Sequence, residues 1–122
     1  MKSESQEQIE VISWARAMAR KVPALKWLHA IPNGGFRNPR EARKLKLEGV
    51  TPGIPDLFLP AGAGVGGRLS LGLYIEMKAK NGRLSKAQKD FAEYARLMGY
   101  QWFACYGADE AIATIRGYLE IE

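Results

Sequence analysis

The sequence predicts an α/β protein, a three-layer α/β sandwich around a central mixed sheet. Three observations carry that prediction. Short apolar runs bounded by proline and glycine alternate with longer amphipathic stretches. The elements follow the order helix, three strands, helix, strand, helix, with a small basic helix inserted after the first strand. The first three strands suit an antiparallel meander, and the fourth, reached through a helix, suits parallel pairing through a right-handed crossover. At 122 residues the chain has the size of one domain, 1–122, and shows no internal repeat.

A first helix is expected from about Ser5 to Arg20. Gln8, Ile12, Ala15, Ala19 and Val22 recur at three- and four-residue spacing, and Arg16, Arg20 and Lys21 fall mostly off that stripe. Pro23 ends it. Trp27 to Ile31 reads as a short strand, stopped by the turn signal Pro32-Asn33-Gly34-Gly35. Asn38-Pro39 has the form of an N-cap with proline at the first helical position, opening a basic helix to Leu47 that Gly49 is placed to end. The second strand is expected from Asp56 to Leu59. Pro60 to Gly67 reads as a flexible hairpin connection, and the third strand as about Leu69 to Ala79. After the turn Asn81-Gly82, Ser85 opens a helix carrying Phe91, Tyr94, Ala95 and Met98 on one face, closed by Gly99. Tyr100 to Tyr106 is the fourth strand, and Asp109 caps a last helix with Ile112, Ile115 and Leu119 on one face.

Composition narrows the function classes. Eighteen Lys and Arg against thirteen Asp and Glu give a net charge of +5, and the pI is near 9.5, a balance that favours polyanionic partners such as nucleic acid. The single cysteine, Cys105, excludes an intramolecular disulfide and a Cys-based zinc cluster, and its apolar setting suits a buried inert thiol. The N-terminus has no signal-peptide pattern, and no apolar run approaches the ~18 residues of a membrane span, so a cytoplasmic location is expected. Gly62 to Gly67 lacks the Gly-Lys-Ser/Thr ending of a phosphate loop, so no nucleotide cofactor is expected. Trp14, Trp27 and Trp102 read as core or interface residues, His29 as a core or edge histidine, and Asn33 as a loop-fixing residue.

Charge placed inside strands points to chemistry. Along a strand, residues i and i+2 share a face, so Glu76 and Lys78 point one way and Ile75 and Met77 the other. If the strands on either side of the glycine-rich connection are antiparallel neighbours, Asp56 and Glu76 meet at one end of the sheet. Like charges held close raise each other's proton affinity, and such a pair suits a hard cation bound through oxygen, Mg²⁺ or Mn²⁺ rather than zinc. Taken alone, a Glu-x-Lys pair on a solvated strand and an Asp in a Pro-Asp turn explain the same residues. The order of elements favours the site.

These residues resemble a known family. Pro55-Asp56 followed by Glu76-Met77-Lys78 matches the PD-(D/E)XK nuclease motif, with its restriction-endonuclease-like αβββαβ core. More narrowly, the chain resembles the small phage and bacterial type of VRR-NUC domain. The likeness includes Glu4 and Gln8, Pro32-Asn33-Gly34-Gly35, Gly53-Ile54-Pro55-Asp56-Leu57, Glu76-Met77-Lys78 and Arg83-Leu84-Ser85-Lys86-Ala87-Gln88. The resemblance implies a Mg²⁺-dependent phosphodiesterase leaving 5′-phosphate and 3′-hydroxyl ends. Asp56, Glu76 and the backbone carbonyl of Met77 would bind the metal, and Lys78 would orient or deprotonate the attacking water. It also implies Holliday-junction resolution on a DNA four-way junction by a homodimer. A flap or nicked-duplex nuclease, a nuclease reading a short sequence, and a non-catalytic DNA-binding module of the same fold are the alternatives.

The remaining candidates carry more than one reading. Gln88 closes a capping box from Ser85 and also falls where the family has a catalytic glutamine. Glu4 is a candidate further metal ligand, with Glu7 and Glu10 as nearby alternatives and a solvated helix start explaining all three. Arg37, Arg40, Arg43, Lys44 and Lys46 form the densest basic cluster, which reads as a solvated helix in isolation and as a phosphate grip beside a nuclease site. Lys80, Arg83 and Lys86 extend that surface.

Overall fold

Ser3 starts the first helix with a reciprocal cap: its hydroxyl accepts the Gln6 N–H at 3.1 Å, and its own N–H donates to the Gln6 side chain at 2.8 Å. Helix α1 then runs Glu4–Met18. The computed structural model describes residues 2–32 and 38–122. The expected turn at Asn33-Gly34-Gly35, and Arg37 with it, lie outside those residues. The order continues β1 (His29–Ala30), α2 (Pro39–Leu47), β2 (Leu57–Leu59), β3 (Ala63–Val65), β4 (Arg68–Ser70), β5 (Leu73–Lys78), α3 (Lys86–Leu97), β6 (Gln101–Tyr106) and α4 (Ala108–Leu119).

The main sheet has the order β1-β2-β5-β6. β1, β2 and β5 are antiparallel, and β6 adds in parallel to β5 after α3, as the meander-plus-crossover pattern predicts. Helices cover both faces. Leu57, Leu59, Leu73, Ile75, Met77 and Cys105 point to the face packed by Val11 and Ala15 of α1 and Ala108, Ala111, Ile115 and Tyr118 of α4. Complete removal of these side chains from water supplies the main drive to fold, at about 1.5–3 kcal/mol for each large apolar residue. The opposite face carries Phe58 and Tyr74, whose rings meet Tyr100, and Phe91 of α3 meets Tyr74 edge-on at 5.1 Å. Among the described residues no helix is long and apolar enough to cross a membrane.

Tertiary contacts override local pattern in several places. The expected strand from Trp27 shrinks to His29–Ala30, because Pro23–Trp27 winds into a 3₁₀ turn anchored by buried Leu25. Arg16 of α1 fixes that turn by donating to the carbonyls of Leu25 and Lys26 at 3.2 and 3.1 Å. Trp27 is left 61% exposed and is not a core residue, whereas Trp102 is buried and Trp14 packs against the core. The buried side of α1 is Val11 and Ala15 rather than a stripe through Gln8.

The connection after Pro60 is not an unpaired loop. β3 and β4 form their own hairpin, turned by Gly66 and Gly67 at φ +57° and +79°, the backbone that a tight two-residue turn demands. The expected strand Leu69 to Ala79 therefore splits at Leu71-Gly72. There the Leu71 N–H leaves the strand to donate to the Gly99 carbonyl at 2.8 Å, and the Phe58 ring lies where a side chain on Gly72 would be, 2.7 Å from its Cβ position. On α3, Ala92 and Ala95 are buried, while Tyr94 and Met98 stay 58% and 48% exposed, because the helix rests on the sheet through its small residues. Asp109 does not cap α4. Gly107 occupies the N-cap, and Glu7 reaches from α1 to accept the Ala108 N–H at 2.8 Å.

Tyr118 ties the hairpin to the body. Its hydroxyl donates to the Ala61 carbonyl at 2.6 Å and lies 3.0 Å from the buried Ser70 hydroxyl. Tyr118→Phe removes that donor and leaves a part-buried carbonyl unsatisfied, so the variant should lose about 1–2 kcal/mol in denaturant unfolding. Faster amide exchange confined to 61–70 is expected with it.

Candidate active site

Asp56 directly precedes β2, and the register that pairs Leu57 with Ile75 sets it opposite Glu76 on β5. Pro55 is fully buried and fixes the chain entering the strand, while the Asp56 carbonyl accepts the Ile31 N–H at 2.8 Å. The Asp56 carboxylate crosses to accept the Met77 N–H at 2.7 Å. Sequence-distant acids are thus held together by backbone pairing, which costs no side-chain freedom at the moment of use.

Strand alternation does the rest. Met77 turns into the α1–α4 core and is fully buried, so Glu76 and Lys78 must face the other way. Both are nevertheless buried, at 4% and 9% exposure, with the Lys78 ammonium 4.0 Å from the Glu76 carboxylate. Burial foremost, then the Asp56 charge and a hydrogen bond with Asp56, push the Glu76 carboxyl from its ordinary 4.5 up to about 8. Lys78 pulls in the opposite sense without prevailing.

The proton held by Glu76 has a sign that can be measured. Between about pH 4.5 and 8 the folded protein keeps this proton while the unfolded chain has released it, so in the absence of metal this group makes stability fall as pH rises through that window. Glu76→Gln should therefore raise the melting temperature more at pH 8 than at pH 5. An equal change at both pH values would contradict the assigned protonation.

A cation suits the same place. Hard carboxylate oxygens that repel each other and retain a proton are the donor set that Mg²⁺ or Mn²⁺ relieves on displacing the proton. Among the described residues no group of three or more Asp, Glu, His or Cys side chains forms a ready-made cage, so water and substrate oxygens would fill the remaining positions. Glu4 is the first-helix acid closest to this chemistry. Its carboxylate accepts the Ala79 N–H at 3.4 Å and acts electrostatically on Glu76. Glu7 is committed to α4 and Glu10 to an ion pair with Lys2.

Gln88 serves the α3 capping box, its side-chain oxygen accepting the Ser85 N–H at 2.8 Å. It also lines a cavity of about 490 Å³ together with Asp56, Glu76 and Lys46. Arg40, Arg43 and Lys44 are exposed on α2 above that cavity, and Lys80 and Arg83 are exposed beyond β5. Lys86 is paired with Asp90 at 2.7 Å. His29 is an exposed edge residue, its ring nitrogen 2.8 Å from the Trp27 carbonyl, and Cys105 is buried with its thiol pushed up by that burial.

Sequence reasoning passed over the apolar wall of the cavity. Ala42 and Leu45 lie three residues apart on α2, a spacing visible beneath the basic side chains, and Val50, Pro52 and Ile54 complete the wall from the following loop. It also passed over Gly53 as a packing position. Gly53 sits at φ +88°, and a Cβ there would fall 2.5 Å from the Ala87 carbonyl oxygen at the start of α3.

Comparison with known proteins identifies the family. The model of the VRR-NUC domain matches residues 2–109. A solved structure named "VRR_NUC domain protein" superposes at a TM-score of 0.77 with 29% identity, over 99% of this chain and 93% of that one. No curated protein matches. With the family model spanning both β2 and β5, which bring Asp56, Glu76 and Lys78 together, the chain belongs to the VRR-NUC domain family of nuclease domains.

Proposed function

We propose that the chain is a Mg²⁺-dependent DNA endonuclease, with Mn²⁺ able to substitute, that cuts branched DNA as a homodimer and acts on four-way junctions. The observation that carries the catalytic reading is the cluster of half-buried Asp56 with buried Glu76 and Lys78 at one end of the sheet, in which the Glu76 carboxyl holds its proton. Asp56, Glu76 and the Met77 carbonyl are the metal ligands in this reading, with Glu4 as a further contact and Gln88 bordering the reacting groups. Mg²⁺, when bound, lowers the pKa of its water and neutralises phosphate charge. Lys78 orients the attacking water and offsets the charge that builds on the phosphate as it becomes five-coordinate. Hydrolysis would leave 5′-phosphate and 3′-hydroxyl ends.

Arg40, Arg43, Lys44, Lys46, Lys80 and Arg83 are the phosphate contacts of this reading, joined by Arg37. The exposure of Arg40, Arg43, Lys44, Lys46, Lys80 and Arg83 supports it, since cations at the surface can neutralise phosphates and release the counterions of DNA. Two paired incisions in a junction require two sites related by a two-fold axis. The exposed apolar face of Leu71, Tyr94, Leu97 and Met98 supports self-association.

The test presents a four-way junction, a flap and plain duplex to the purified protein with Mg²⁺ or Mn²⁺. Symmetric nicks on the junction by a dimer are expected. Equal cutting of plain duplex would overturn the branch preference, and tight binding without cutting under either metal would favour a non-catalytic module.

A further inference from the structure

The cavity of about 490 Å³ includes Asp56, Glu76 and Gln88 in its lining, and away from these groups its walls are wrong for a phosphate backbone. Its lining is mostly apolar, from Ala42, Leu45, Val50, Pro52 and Ile54, with Lys46 as its cation. Phosphates lose hydration against such a surface, whereas an aromatic heterocycle gains from it. The volume falls within the roughly 300–1,000 Å³ usual for pockets that take small organic ligands. Arg40, Arg43 and Lys44 of α2 are exposed and are not part of its lining, so most of the charge is segregated from the apolar surface: phosphates have a path over α2, and the apolar part of the recess suits something uncharged.

A paired duplex cannot supply that group, because the faces of its bases are stacked within the helix and only their edges reach the grooves. A nucleotide next to the scissile phosphate can supply it once it leaves the stack, and unstacking costs least where pairing is already interrupted. We infer that the cavity formed by α2 and the 50–54 loop receives an unpaired nucleobase of the strand being cut. Preference for branched DNA then arises within one protomer, from the free energy of extruding one base. The inference rests on the nuclease reading for the direction of the strand, but not for the binding itself.

Base insertion has an optical signature here. No aromatic side chain is among the described residues lining the cavity, so an inserted 2-aminopurine would escape the stacking that quenches it in DNA. The base analogue is walked through the strand across a splayed duplex, one nucleotide at a time, and its emission is read at saturating wild-type protein in Ca²⁺. A severalfold rise at one position beside the branch is expected, with no rise in a fully paired duplex. Ala42→Trp fills the recess from an exposed helix that contributes no buried residue, so its fold should persist and is checked by its melting temperature. It should abolish the rise and lower the ratio of affinities for splayed over paired DNA by about tenfold, the equivalent of ~1.4 kcal/mol. Saturated binding with no position-specific rise, or an identical rise in folded Ala42→Trp, would overturn the inference. Cutting in Mg²⁺ or Mn²⁺ is scored separately. A rise without any cutting leaves the base site standing and removes the catalytic reading, and cutting without a rise does the reverse.

Discussion

Lys78→Met is expected to slow phosphodiester cleavage by roughly 10²–10³-fold, the usual loss when one preorganised charge facing a developing anion is removed. The methionine stem fills nearly the same buried space, so folding should survive, and DNA affinity, which the proposed function assigns to exposed cations elsewhere, should change little. A second effect accompanies the first. The Lys78 charge lowers the Glu76 proton affinity, so its loss makes that carboxyl hold its proton more tightly and weakens metal uptake near neutral pH. The two effects separate with pH. Metal affinity should recover as pH rises well beyond 8, whereas the rate should not. Full recovery of rate at high pH would mean that Lys78 acts only through Glu76.

Gly53→Ala should be the most damaging substitution outside the charged groups. The new methyl would lie 2.5 Å from the Ala87 carbonyl oxygen and 2.6 Å from its carbon, backbone atoms of a capped helix that cannot rotate aside. The φ of +88° adds strain that an L side chain meets and glycine does not. Together these should cost about 2–4 kcal/mol, seen as a fall of roughly 10 °C in melting temperature. The loop should swing away from α3, carrying Asp56 away from Gln88, so activity should fall further than the unfolded fraction explains. A variant with wild-type stability and rate would show that the loop and α3 do not constrain each other.

How much of this was legible in the sequence follows from what each feature depends on. The Asp56–Glu76 encounter was readable because antiparallel register is strict and the charged positions interrupt apolar runs. The caps at Ser85 and Asn38, and the glycines ending α2 and α3, were readable because each is satisfied within a few residues. The break at Leu71-Gly72 was not, since it arises from a hydrogen bond to Gly99 and the packing of Phe58, both distant in sequence. Choosing among Glu4, Glu7 and Glu10 likewise required tertiary structure: all three lie in the same acidic helix start, and only the arrival of α4 removes Glu7. The recess beneath α2 escaped notice because its apolar residues are small and sparse among cations, and it exists only once the helix is folded over the 50–54 loop.

The most direct measurement is Mg²⁺-dependent nicking of end-labelled branched DNA by wild type and Asp56→Asn, side by side at equal folded concentration. Asp56 accepts the Met77 N–H and its charge and hydrogen bond act on Glu76, and asparagine keeps its shape while removing its charge. Cleavage by wild type that is abolished by chelation, and absent or reduced by at least about 10³-fold in the variant, is the predicted result. Cleavage at the wild-type rate by Asp56→Asn, or wild-type cleavage that persists after chelation, would contradict a metal-dependent site at Asp56, Glu76 and Lys78.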